Sequence, residues 1–554
     1  MNIKRIVIGC IMAMSTTAFA TDVKVTVTPS KTNQKVEGIG GGIVYYQNWF
    51  TAHSNKEMLY DTIFNGLGIS ALRIGNWAQN VKIQSISNDI NIVEGAKKRL
   101  GRENFFIQMS SWSAPASLKA NNSVNGTNGG VKASLKKDDN GEFVYGEFGK
   151  WWKKSLELYG KYDIMPDYIS IQNEPDMDAT YEATLFNPSE SSSIASYGKA
   201  LEAVSDSIKN IENAPKILGP EPLGIGWQQT QKYVDALDKS LLYGYCFHYY
   251  HSGVNTHNEN QRYSYPDDFK TAMTSLSTYL KDKPMFMTEN CSMRDHEDMD
   301  ALYIAWFIAN SFNINKVSSY IHWNLLWGDN GGGCINVENP WKKEEWTTEN
   351  GFIVQPEYHG LRHYTKYVKR GWYHIDSKSS NNDVISTAFR SANGEAVTIV
   401  IVNKSVTKHN VTLNMALEDS VVGTVIRTEP EAQIWSKSEG AFNPDTVIEM
   451  PAKSIITIAL KGFTPLPVPT AIKSDLEVAQ FVKLADGSLL IGSDKANNVT
   501  MKIWNEMGTL LAQDNITLAQ GVNSIPAEKF KARFLIVQLI TADGKSQAFK
   551  VVNM

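Results

Sequence analysis

From about residue 36 to residue 370, short runs of apolar and β-branched residues alternate with longer stretches whose apolar positions recur at helical spacing. Eight strand candidates stand out: Val36 to Gly40, Ala71 to Asn76, Asn104 to Ser111, Asp167 to Glu174, Lys216 to Glu221, Tyr243 to Tyr250, Pro284 to Asn290 and Ser318 to Leu325. Between them lie segments such as EFGKWWKKSLELYG (147–160) and SSIASYGKALEAVSDSIKN (192–210), each with an apolar stripe on a polar helix. Strands that alternate with helices pair in parallel. Eight such repeats, spanning 37–370, predict a closed (β/α)8 TIM barrel of the α/β class rather than an open doubly wound sheet. The glycines of Gly38 to Gly42 open no helix at the spacing that a nucleotide-binding turn requires.

After about Gly371 the pattern changes to period two, as in AVTIVIVNKS (396–405) and SIITIALKG (454–462), with turns at Asn393-Gly394 and Glu439-Gly440. This predicts a side antiparallel β-sandwich over 371–462, which VKVTVTP (23–29), within an N-terminal strand at 21–36, joins before the chain enters the barrel. FTPLPVPTA (463–471) reads as a semi-rigid linker, and 472–554 as a further C-terminal β-sandwich.

Composition narrows the partners. With 20% charged residues and a net charge of -4, nothing favours nucleic acid or anionic lipid, and no later apolar run reaches the length of a membrane span. The expected partner is neutral: 14 Trp and 23 Tyr, several beside Gly, Asn or Pro in loops, suit stacking on sugar rings. Residues 1–20 carry Lys4 and Arg5, an apolar stretch and Ala18-Phe19-Ala20, the pattern of a secretory signal cleaved after Ala20. Val7-Ile8-Gly9-Cys10 matches a lipoprotein box, but too few apolar residues precede it. The expectation is an exported monomer, secreted or held in the periplasm or on the surface of a Gram-negative cell. The remaining Cys246, Cys291 and Cys334 are odd in number and lack metal spacing, so they read as small buried hydrophobes.

The candidate chemistry lies at two strand ends. Asp167 to Glu174 runs into Asn173-Glu174-Pro175, and Pro175 is expected to stop the strand and leave Glu174 extended at the barrel mouth. On this tripeptide alone, Glu174 could equally cap the following loop. A second strand, PMFMTEN (284–290), ends in Glu289; counted as strands four and seven, the two place both acids over one cavity. Two facing carboxyls suit retaining glycoside hydrolysis, one as acid/base and one as nucleophile.

Asn173-Glu174-Pro175 and Thr288-Glu289 resemble the two catalytic strands of clan A glycoside hydrolases. Val36-Glu37-Gly38-Ile39-Gly40-Gly41, Leu72-Arg73-Ile74, Ser111-Trp112-Ser113-Ala114-Pro115 with Leu118-Lys119, and Tyr358-His359-Gly360-Leu361 before Tyr367-Val368 resemble glycoside hydrolase family 30 over residues 23–462. The resemblance implies Glu174 as acid/base, Glu289 as nucleophile and Asn173 on the sugar 2-hydroxyl. It places Arg73 beside Glu289, Trp112 and Trp323 as walls of the sugar site, and His248 and Tyr250 at the mouth. Arg73 has an ordinary structural alternative as an ion pair, and Trp112 and Trp323 as core side chains. No cofactor or metal is implied, because the mechanism needs none and no acid or imidazole stands at ligand spacing from His248 or His251.

Within that family the chain looks most like endo-β-1,4-xylanases. Trp323-Asn324-Leu325-Leu326-Trp327-Gly328-Asp329 lacks the arginine that pairs with a glucuronic acid branch, so dependence on that branch is not expected; Arg294 and Lys342 stand as substitutes from neighbouring loops. Relatives that cut β-1,6-glucan, exo-acting β-glycosidases or xylobiohydrolases, and a glycan-binding protein without turnover are the alternatives. The final stretch, VTMKIWNEMGTLL followed by FLIVQLITADGKSQAFKVVNM, resembles a type IX secretion sorting domain, against the alternative of a plain accessory sandwich.

Overall fold

The structure is a computed structural model that describes residues 21–254, 265–291, 296–328 and 331–464, and beyond them 479, 481–485, 487–505, 510–527, 530, 534–542 and 546–552. The predicted signal at 1–20, the linker beyond Thr464, Arg294 and Asp329 lie outside the described residues. The chain forms two compact units, Met1–Thr464 and Pro465–Met554.

In the first unit, β1 (Thr21–Lys35) precedes eight parallel strands: β2 (Gly38–Gly42), β3 (Ala71–Gly75), β4 (Phe106–Ser110), β5 (Tyr168–Ser170), β6 (Lys216–Pro220), β7 (Gly244–His248), β8 (Met285–Glu289) and β9 (Ser319–His322). They close into a barrel in sequence order, with β9 pairing β2. Every residue of β2, β3, β4 and β8 is buried, which is what near-continuous apolar runs in a parallel sheet require. One end of the lumen is filled by Ala71, Phe106, Tyr168, Leu218, Cys246, Phe286 and Ile321, one from each strand except β2. There Gly38 makes room, since a Cβ on it would lie 2.7 Å from the Phe106 ring. The glycine run thus serves barrel packing.

Beside the barrel stands a nine-stranded sheet. β1 lies inside it, antiparallel to Tyr373–Ser379 as expected but parallel to His409–Asn414, so the sheet is mixed rather than purely antiparallel. A strand that arrives before the barrel can enter this sheet in either direction, because the connection that normally fixes hairpin direction is missing. Cys246, Cys291 and Cys334 are buried. The second unit is built from a three-stranded and a four-stranded antiparallel sheet around Val482, Ile491, Met501, Ile503, Val537 and Phe549.

Two expectations about strand ends are corrected. β5 stops at Ser170, four residues short of Glu174, and Glu174 is left-handed (φ 45°) rather than extended. The constraint that Pro175 places on its predecessor is overridden by tertiary bonding: the amides of Asn173 and Glu174 donate to the carbonyls of Ser111 and Glu221 at 2.7 and 3.0 Å. Strand β6 likewise ends at Pro220, and Glu221 beyond it is also left-handed (φ 66°). Non-glycine residues hold such values only where the surroundings force them, and such positions cluster at functional sites.

Candidate active site

The side chains at the C-terminal ends of β3, β4, β6, β7 and β8 converge on Arg73. Its guanidinium is fully buried, donates to Glu289 Oε2, and reaches Asn173 Oδ1 at 2.6 Å and Glu221 Oε1 at 3.2 Å. Tyr250 donates its hydroxyl to the other oxygen of Glu289 at 2.7 Å. His248 Nδ1 donates to Glu174 Oε1 at 2.8 Å, while its Nε2 lies 3.5 Å from Glu221 and 3.9 Å from Glu289. One carboxylate oxygen of Glu174, one of Glu289 and a ring nitrogen of His248 all fall within 4.8 Å of each other.

Three carboxyls therefore enclose two cations, and their environments set them apart. Burial pushes the Glu174 carboxyl up to about 7; the His248 hydrogen bond opposes this and the nearby Glu289 charge reinforces it. Burial also acts to raise Glu221, but Arg73 and His248 outweigh it and hold that carboxyl down to about 2. For His248 burial favours the neutral ring, yet Glu289, Glu174 and Glu221 together lift it to about 9. At neutral pH the cluster thus holds an ionised Glu221, a charged His248 and a Glu174 poised between its two forms. A pair of titratable groups whose environments push them apart is the arrangement acid/base chemistry needs.

The donor trio Glu174, His248 and Glu289 has metal-ligand chemistry that sequence spacing alone hid, because the three come from separate segments, the turn after β5 and the ends of β7 and β8. Two of its atoms are already engaged, Glu174 Oε1 with His248 Nδ1 and Glu289 Oε2 with Arg73. A cation there would compete with the guanidinium for Glu289.

Aromatic rings wall the space above Arg73. The guanidinium carbon sits 4.6 Å from the Trp112 ring centroid and 6.0 Å from that of Trp323, and the two indoles are 5.9 Å apart. Eight of the residues singled out in the sequence, Arg73, Trp112, Asn173, Glu174, His248, Tyr250, Glu289 and Trp323, are brought together here. Lys342 does not join them; it is exposed and pairs with Glu345 at 3.0 Å.

Sequence reading missed two parts of the site. One is Glu221. Its signal was present in Gly219-Pro220-Glu221, a strand end where Pro and Glu adjoin, as they do in Glu174-Pro175. The other is Tyr45, from the loop after β2. Its ring contacts Trp77, Trp112, Trp323 and Trp327 at centroid distances of 5.6, 6.3, 6.1 and 6.1 Å. Its hydroxyl donates to Glu182, beyond β5, at 3.1 Å.

A parallel barrel with an appended β-sheet and a carboxylate pair at the strand ends is the class these features define. Residues 372–458 match the family model described as the glycosyl hydrolase family 30 beta sandwich domain. Lysosomal acid glucosylceramidase of Mus musculus is 21% identical over 447 residues, covering 72% of this chain and 80% of that protein. The catalytic domain of the family 30 xylanase C from Talaromyces cellulolyticus superposes with a TM-score of 0.61 at 17% identity, covering 79% of this chain and 100% of that one. An endo-β1,6-glucanase superposes with a TM-score of 0.57 at 14% identity, covering 79% and 94%. These solved structures share the fold of this chain.

Proposed function

We propose that this chain hydrolyses β-glycosidic bonds with retention of configuration. The observation that carries the reading is the approach of Glu174 and Glu289, with carboxylate oxygens within 4.8 Å. Retaining enzymes hold their two carboxyl groups about 5–5.5 Å apart, whereas inverting ones leave about 6.5–9.5 Å for a water. Glu289, kept in place by Arg73 and Tyr250, attacks the anomeric carbon. The bond to the leaving oxygen breaks as Glu174 gives that oxygen its proton. A water then attacks the same carbon, Glu174 takes the water's proton, and Glu289 departs as carboxylate. Arg73 occupies the Asn173 carbonyl oxygen, which leaves the amide Nδ2 to donate to the sugar 2-hydroxyl.

For the substrate, the sequence likeness and the fold shared with a xylanase support β-1,4-xylan cut internally, without need of a glucuronic acid branch. A second reading, release of sugars from chain ends, is favoured by Tyr45. Acid/base Glu174 stands on the leaving-group side, so the glycone extends toward Trp112 and Trp323, where the Tyr45 ring and its bond to Glu182 bound the space. Export through the N-terminal signal accords with a polymeric substrate. Products from glucuronoxylan, arabinoxylan, β-1,6-glucan and aryl β-glycosides, followed by mass spectrometry, test these readings together. Oligosaccharide ladders support internal cutting, single sugars support the second reading, and no product from any of them overturns the first claim. Loss of turnover in Glu289→Gln with folding intact supports its role; substantial residual hydrolysis removes it.

A further inference from the structure

We infer that Glu221 is a positioning residue for this chemistry: its buried carboxylate is the counter-charge that holds Arg73 and His248 against Glu289 and Glu174. The inference rests on the hydrolase reading above and assigns a third acid to it.

The geometry converges from both ends of the residue. The Glu221 carbonyl accepts the amide of Glu174 at 3.0 Å, so its backbone helps fix the left-handed turn that aims the acid/base. The Glu221 amide is itself tied to the Cys246 carbonyl at 2.9 Å. Its side chain is wholly buried and cannot touch a substrate without moving. One oxygen accepts the Ser110 hydroxyl at 2.7 Å; the other lies 3.2 Å from Arg73 and 3.5 Å from His248 Nε2. Each of those cations continues to a reacting carboxyl, Arg73 to Glu289 and His248 to Glu174.

Charge counting gives the consequence. With Glu174 protonated, the cluster holds two carboxylates, Glu221 and Glu289, against Arg73 and His248, and is neutral. A buried ion pair that loses one partner leaves an uncompensated charge. Removing the Glu221 charge leaves a surplus positive charge beside Glu174, which favours its ionised form, so the acid form is lost at lower pH. The other titratable groups facing Glu221 are Cys246 and Tyr197, and those facing Glu174 are Asp176, Tyr181 and Tyr250 besides Arg73, His248 and Glu289. Arg73 and His248 are the cations among them.

The test is the pH profile of kcat/KM on an aryl β-glycoside for wild type, Glu221→Gln, Glu221→Asp and Ser110→Ala. The expected result is a basic limb displaced to lower pH by about one unit or more in Glu221→Gln, the size of a lost neighbouring charge. Glu221→Asp is expected to restore much of it, and Ser110→Ala, which loosens the carboxylate without changing charge, to keep the limb in place. A uniform drop in rate with unmoved limbs marks a merely structural role and overturns the inference. NMR of the His248 ring in the wild-type protein reads the same point without relying on the variant's folding: a protonated imidazole at pH 7.5 is expected, and a neutral one overturns the inference. If the wild type turns over no glycoside while His248 is protonated, the hydrolase reading fails and the charge role of Glu221 stands.

Discussion

The hydroxyl of Tyr45 donates to the carboxylate of Glu182 at 3.1 Å, joining the loop after β2 to the segment beyond β5. Burial and the Glu182 charge hold the phenol far above its ordinary range, so it remains a donor at every working pH. In the chain-end reading proposed above, the pair bounds the glycone end of the site. Tyr45→Ala is expected to lengthen the products released from xylan oligomers and to weaken binding of single-sugar aryl glycosides, read as a rise in KM of about tenfold, one good stacking contact. An unchanged product ladder counts against the closed end.

The position of Glu174 predicts a pH optimum. As general acid it must carry a proton, and its carboxyl is raised to about 7, so kcat/KM is expected to fall as pH rises through about 7. A basic limb far below pH 6 removes Glu174 as the acid. Glu174→Gln should lower kcat/KM by about 10²–10⁴-fold on alkyl or oligosaccharide leaving groups. A dinitrophenyl glycoside, whose leaving group needs no proton, should show a much smaller loss in its first step. Equal losses on both substrates speak against acid catalysis.

Away from the site, Asp89 is fully buried and accepts from Gln47 Nε2 at 2.5 Å and Tyr159 at 2.9 Å. Burial raises its carboxyl to about 7, above the ordinary 3.8. The folded state therefore binds the extra proton between those values, and stability is expected to decline as pH rises from about 4 to about 7, by up to roughly 4 kcal/mol. Asp89→Asn removes that slope at the cost of one accepted hydrogen bond. Urea unfolding at pH 5 and pH 8 measures it; an identical pH dependence in variant and wild type discards the idea.

Each compact unit has its own apolar core, that of the second including Val482, Ile503 and Val537. A chain ending at Thr464 is expected to keep kcat within about twofold, since separate cores fold as separate units. Loss of cooperative unfolding in the truncated protein would contradict this.

The barrel was legible because parallel strands buried on both faces must be written as short apolar runs, and all eight were. The two strand-end glutamates were legible for the same reason, as acids where such a run stops. The left-handed turns at Glu174 and Glu221 were not, because local rules favour extended backbone before proline and only a long-range amide bond reverses that. Arg73 could be placed beside Glu289, but its simultaneous hold on Glu221 and Asn173 depends on barrel closure. Tyr45 and Glu182 are 137 positions apart, and no periodicity links a phenol in one loop with an acid in another. The parallel seam between β1 and His409–Asn414 escaped for a similar reason, since alternation fixes which face is buried and says nothing of direction.

That seam bears on how the molecule is made. Thr21–Lys35 finds its two neighbours only in Tyr373–Ser379 and His409–Asn414, so its ladder of amides stays open while more than three hundred residues emerge behind it. Thr21–Lys35 is among the last stretches to be locked, and completion of the sheet waits for nearly the whole first unit. A newly made chain of this design cannot complete its side sheet until synthesis has passed Lys461.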